Sequence, residues 1–167
     1  RALLEDLEDL SDKDDLLLLD DVGKIGLFDA DSIVITNAIR LLWHAEDKKL
    51  VPTFIQYAAT HADEGVRATS ASILGTYVYM GEIESIPTEL HTEIEETLLL
   101  ATRKDVSELV RRRALEALGY SSRDEVTPLI RSAYTSKDTL WLESALYAMG
   151  RSADNQWDSS VLKMIDH

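Results

Sequence analysis

"VRRRALEALG", residues 110–119, has three relatives in the chain: "VITNAIRLLW" (34–43), "VRATSASILG" (66–75) and "WLESALYAMG" (141–150). Aligned, their first positions are Val34, Val66, Val110 and Trp141. Their fifth positions are all small: Ala38, Ser70, Ala114 and Ala145. Their ninth positions are all large and apolar (Leu42, Leu74, Leu118, Met149), and the tenth are Trp43, Gly75, Gly119 and Gly150. The starts lie 32, 44 and 31 residues apart. Self-similarity at such a period is the mark of a repeat architecture, in which each supersecondary unit stacks on the next.

Each stretch reads as a helix of about three turns. Three residues before each start stand Asp31, Asp63, Ser107 and Asp138, whose side-chain oxygens suit the free N–H groups of a first turn. Apolar or small residues at the first, fifth, eighth and ninth positions fall on one helical face. The tenth-position glycine is expected at C′, in the left-handed conformation that often ends a helix. A second helix follows each first one. "LVPTFIQYAATH" (50–61) aligns Val51, Phe54, Ile55 and Ala58, and "VTPLIRSAYTS" (126–136) aligns Val126, Leu129, Ile130 and Ala133. Pro52 and Pro128 sit early in these segments, where a missing N–H costs no helical hydrogen bond. In the other two units Ile94, Leu98 and Ala101, and then Trp157, Val161 and Met164, hold the face. One such pair cannot bury its apolar stripe alone. The fold class predicted is therefore all-α: an α-solenoid of about four helix pairs (31–62, 63–106, 107–137, 138–167), preceded by an acidic helical segment over 1–30 that packs on the first pair.

"DEGVRATSASILG" (63–75) and "ELVRRRALEALG" (108–119), with "VPTFIQYA" and "VTPLIRSA" as second helices, resemble the HEAT-like repeats, including the variant known as the phycobilisome-lyase type. The likeness covers about 31–165 and lies in the Val-Arg start, the small residue and the closing Leu-Gly. The first and last units lack Val-Arg. The resemblance implies a stack of helix pairs and a ladder in which the second-position arginines, Arg67 and Arg111, meet acidic caps of adjacent repeats. Its members include adaptors, scaffolds and a few enzymes, so it implies no single activity.

Composition narrows the classes of function. The 167 residues carry 31 acids and 17 bases, a net charge of −14. Residues 1–31 alone hold 11 acids against Arg1, Lys13 and Lys24. Proteins that grip a phosphate backbone cluster Lys and Arg, because counterion release supplies much of the affinity; nucleic acid is not the expected partner. There is no cysteine, hence no disulfide, thiolate metal site or cysteine nucleophile. No run of about 18 apolar residues suggests a membrane span, and no signal-peptide pattern is present. The expected location is the cytoplasm. Arg1 in place of an initiating Met predicts that the chain is part of a longer polypeptide.

Several stretches look chemical and have a plainer reading. Gly119-Tyr120-Ser121-Ser122-Arg123 could grip a phosphate, but Gly150-Arg151-Ser152 recurs one period later at the same place. It reads as a corner between helices. Asp12-Lys13-Asp14-Asp15 fails as a calcium loop, because Leu16 and Leu17 stand where an acid and a glycine belong. The stretch 3–21 reads as an acidic amphipathic helix, a turn at Ser11–Asp15 and a second apolar segment. His44, His61, His91 and His167 have no metal-ligand spacing. Arg111, Arg112 and Arg113 fan too widely around a helix to make one flat patch. The spacing of 44 places about 12 extra residues in "GTYVYMGEIESIPTEL" (75–90), where Tyr77–Met80 is either a rim feature or a lengthened helix that covers a neighbour.

No catalytic, cofactor or metal site is expected. The function predicted is a non-enzymatic protein–protein interaction scaffold or adaptor, with a protein partner or another region of its parent chain, and with end-to-end pairing of two copies as a further route to association. The alternative is an enzyme or enzyme partner of the bilin-lyase-like class, which the resemblance raises and no residue carries. The second helices are expected to line the concave face. Gln56, Arg131 and Tyr134, together with Tyr77 and Tyr79 of the insertion, are the candidate partner-binding residues.

Overall fold

A computed structural model describes residues 13–152 and 154–165, and every regular element among them is helical. In chain order these are α1 (Lys13–Gly26), α2 (Ser32–Leu41), α3 (Val51–Thr60), α4 (Glu64–Glu82), α5 (Thr88–Lys104), α6 (Glu108–Leu118), α7 (Val126–Tyr134), α8 (Thr139–Ser152) and α9 (Asp158–Ile165). Residues 1–12 lie outside the described residues, and with them part of the acidic stretch. Of the turn expected at Ser11–Asp15, the residues from Lys13 on already belong to α1.

The four predicted caps start four helices. Asp31 accepts from the Ile33 amide, Asp63 from Val66 and Ser107 from Val110. Asp138 accepts from Leu140 at 2.7 Å and Trp141 at 3.3 Å. The first helices α2, α4, α6 and α8 pack each on the next, and the second helices α3, α5 and α7 each lie against the following first helix. Val66, Val110, Ala114, Leu118, Ala145 and Met149 are buried along this row, with Phe54, Ile94, Leu98 and Ile130 facing them from the second helices. The helix α1 packs on α2, and Leu27 just beyond it is fully buried.

The tenth-position glycines do something other than expected. Gly75 lies inside α4 and Gly150 inside α8, while Gly119 has φ −55° and ψ −25°. None of them is left-handed; among the described residues no glycine has positive φ. Close packing explains the residue type instead. A Cβ on Gly75 would stand 3.1 Å from Ala117 Cα, and one on Gly119 would stand 2.7 Å from Ala148 O. The tenth residue of one first helix thus abuts the eighth of the next. Gly150 meets nothing within 4 Å. Beside it Met149, Trp157, Val161 and Leu162 line a hollow of about 520 Å³.

The insertion lengthens α4 to Glu82 and carries the start of α5. Tyr77 is 1% exposed, tilted against Phe54 at 6.3 Å, with its hydroxyl donating to Asp47 O. It is a core residue, and its place on a partner surface is withdrawn: helical periodicity turns Tyr77 inward while Tyr79, two residues on, is exposed.

Candidate functional site

A groove of about 660 Å³ runs across the first helices. Its lining follows the repeat register. The third, fourth and seventh positions supply Thr36 and Arg40 from α2, Ala68, Thr69 and Ser72 from α4, Arg112, Arg113 and Glu116 from α6, and Glu143, Ser144 and Tyr147 from α8. These are the positions that the apolar stripe leaves free, so stacking the helices sets them side by side. Trp43, Gly65, Leu109, Leu140 and Arg151 complete the walls. This groove is lined by first helices, whereas the second helices were expected to line the concave face.

Four arginines face this groove against two glutamates, in a protein of net charge −14. Two of the arginines are committed. Arg113 Nη1 donates to Glu116 Oε2 at 2.6 Å, and Ser144 Oγ donates to Oε1 of the same carboxylate at 2.7 Å. Arg151 Nη1 donates to Glu116 O at 2.9 Å, and its guanidinium lies over Tyr120 at 4.9 Å and Tyr147 at 4.5 Å. Arg40 and Arg112 make no ion pair among the described residues. Arg112 Nε is buried and has no hydrogen-bond partner. Tyr147 and Leu140 are about half exposed beside them. The groove therefore places cationic donors next to apolar surface.

None of the five residues singled out from sequence lines the groove. Gln56 is exposed on α3, and Tyr79 is exposed with its ring 5.4 Å from that of Tyr120. Arg131 donates to Gln156 Oε1 at 2.8 Å and lies over Trp157 at 5.1 Å. Tyr134 donates to Ser160 O at 3.2 Å. Arg131 and Tyr134 thus fasten α7 to the last helical turns. The residues missed were signalled by the register itself, since positions three, four and seven are the polar complement of the apolar stripe.

The three consecutive arginines divide between two tasks. Arg112 and Arg113 face the groove, whereas Arg111 Nη1 donates to Asp105 O at 2.9 Å. Arg67, at the equivalent second position, grips the Asp105 carboxylate through Nε at 2.8 Å and Nη2 at 3.1 Å. Its Nη1 also donates to His61 O and Ala62 O. Burial raises the Asp105 carboxyl, but Arg67, the Ser107 amide and Arg111 outweigh it and hold it below the ordinary carboxylate range.

No protein-family model matches this chain, and no curated protein matches it. Among the described residues no helix is long and apolar enough to cross a membrane.

Proposed function

We propose that the chain is a HEAT-like α-solenoid that acts as a non-catalytic interaction scaffold, and that its groove receives an acidic segment of a partner protein or of its own parent chain. The observation that supports this reading is the gathering of Arg40, Arg112, Arg113 and Arg151 in one groove of an otherwise strongly acidic protein. Local positive potential inside a negative molecule selects a short anionic segment that fits the groove, while a long polyanion meets repulsion from the surrounding surface. Arg40 and Arg112 supply charge-assisted hydrogen bonds, and Tyr147, Trp43 and Leu140 supply apolar contact. The groove's hydroxyl–carboxylate pair, Ser144 with Glu116, is tied up by Arg113. That arrangement suits a structural role better than proton transfer.

Fluorescence anisotropy with a labelled 12-residue peptide of alternating Glu and Leu tests the proposal. Saturable binding is expected, weakening as salt rises from 50 to 200 mM and falling at least about tenfold in an Arg40→Glu variant. Binding that prefers a DNA duplex to the peptide, or no binding to either, contradicts it.

A further inference from the structure

The insertion and the α6–α7 corner meet in a cluster that the groove does not use. Glu82 ends α4; the chain then reverses through Glu84, which has φ 57°, with Ser85 N donating to Met80 O at 2.7 Å. Ile86 plugs the turn, and α5 begins at Thr88. His91 stands in the first turn of α5, and Glu95 lies one turn further on the same side. One oxygen each from Glu82 and Glu95 and one imidazole nitrogen of His91 lie within 4.8 Å of one another.

Three features of the cluster are those of a ligand set. His91 Nε2 is buried from solvent and has no hydrogen-bond partner. It stands 3.9 Å from Glu82 Oε1 and 3.6 Å from Glu95 Oε1, beyond hydrogen-bond reach of both. A protonated imidazole clasped by carboxylates would close to about 2.8 Å, whereas a tetrahedral zinc ion with bonds near 2.1 Å holds its ligand atoms about 3.4 Å apart. Next, the ring fits only because residue 81 is glycine: a Cβ there would collide with the imidazole. Finally, each carboxylate is steered from behind by the corner. Ser121 Oγ donates to Glu95 Oε1, and the Ser122 amide donates to Glu82 Oε1 at 2.8 Å. Hydrogen bonds to the ligands from a second layer are the usual support of a metal centre. Glu95, only 5% exposed, is a carboxylate whose burial calls for such partners.

We propose that Glu82, His91 and Glu95 form a divalent-cation site, with Zn²⁺ as the cation and a water in the fourth position. One imidazole nitrogen with two carboxylate oxygens suits zinc; calcium takes six to eight oxygens, and the thiolates that draw softer ions are absent from this chain. The ion would clip the end of α4 to the start of α5 and, through Ser121 and Ser122, to the α6–α7 corner.

The test uses the full chain, freed of any affinity tag and stripped with a chelator, titrated with Zn²⁺ against a chromophoric competitor. One equivalent per chain is expected, with a rise in Tm on loading, since a ligand of the folded state stabilises it. Glu82→Gln and His91→Gln each weaken uptake by at least about tenfold, and Ser121→Ala weakens it less. Glu82→Gln keeps the shape of a partly exposed side chain, so an unchanged far-UV circular dichroism spectrum separates lost ligation from lost folding. Absence of stoichiometric uptake overturns the proposal. So does uptake of equal affinity in Glu82→Gln and His91→Gln, which would place the metal on surface histidines such as His44.

Discussion

Arg67 shows what a single side chain can fix. Its guanidinium reaches the carboxylate of Asp105 and the carbonyls of His61 and Ala62, so one residue ties the start of α4 to the ends of α3 and α5. Both partners are about nine-tenths buried, so removing one leaves the other as an uncompensated charge. Arg67→Ala is expected to lower stability by about 3 kcal/mol, read by urea denaturation at pH 7. The same pair sets a pH dependence. Asp105 titrates below its ordinary value in the folded chain, so its stabilisation is full above about pH 4 and is lost as pH falls through the lower folded value. Asp105→Asn should therefore be less stable than the parent at pH 7, and the difference should shrink below pH 3. The likeness to HEAT-like repeats implied that Arg67 and Arg111 meet acidic caps of adjacent repeats. Arg67 instead meets Asp105 at the far end of its own helix pair, and Arg111 meets that residue's backbone carbonyl. Asp105 stands 38 residues away, and only the stacking brings it near.

At the scale of the helix, the caps and most of the buried positions were legible and the role of the glycines was misread. The four caps and the buried positions five and nine follow from side-chain chemistry and a period of 3.6, which are local; position one is buried at Val66 and Val110 and only partly at Val34 and Trp141. The glycines required knowledge of a neighbour. Read alone, a glycine after a Leu suggests a helix end; in the stack, it is the point where the next helix comes closest. Gly119→Ala and Gly150→Ala separate the two ideas. A Cβ at Gly119 meets the backbone of Ala148, and the helices must part, at about 1–3 kcal/mol. The same change at Gly150 meets open space and should stabilise by up to about 1 kcal/mol through helix propensity. Thermal unfolding of the two variants should move in opposite directions. Ala114, fully buried in the middle of α6, is a harsher test of register: Ala114→Asp places an unpaired charge between helices and is expected to unfold the chain by circular dichroism. Tyr77 and Tyr79 illustrate the limit, since two adjacent-looking aromatics took opposite sides once α4 extended through the insertion.

On the scale of the whole molecule, sequence reached the helical class but not the groove across the first helices. Which side of a stack is concave depends on how successive pairs rotate, and no local pattern encodes that rotation. Arg40 and Arg112 are 72 positions apart in numbering yet share one groove. Glu82, His91 and Glu95 were hidden for a related reason: the reversal at Glu84 folds two helix ends together across the insertion. Two opposite charge reversals decide whether the groove is the partner face. Arg112→Glu lies in the groove and Arg131→Glu lies on α7, outside it. With the acidic peptide as probe at low salt, Arg112→Glu is expected to weaken binding at least about tenfold, while Arg131→Glu stays within about twofold of the parent. The reverse order would place the partner on the second helices and contradict the account of the groove.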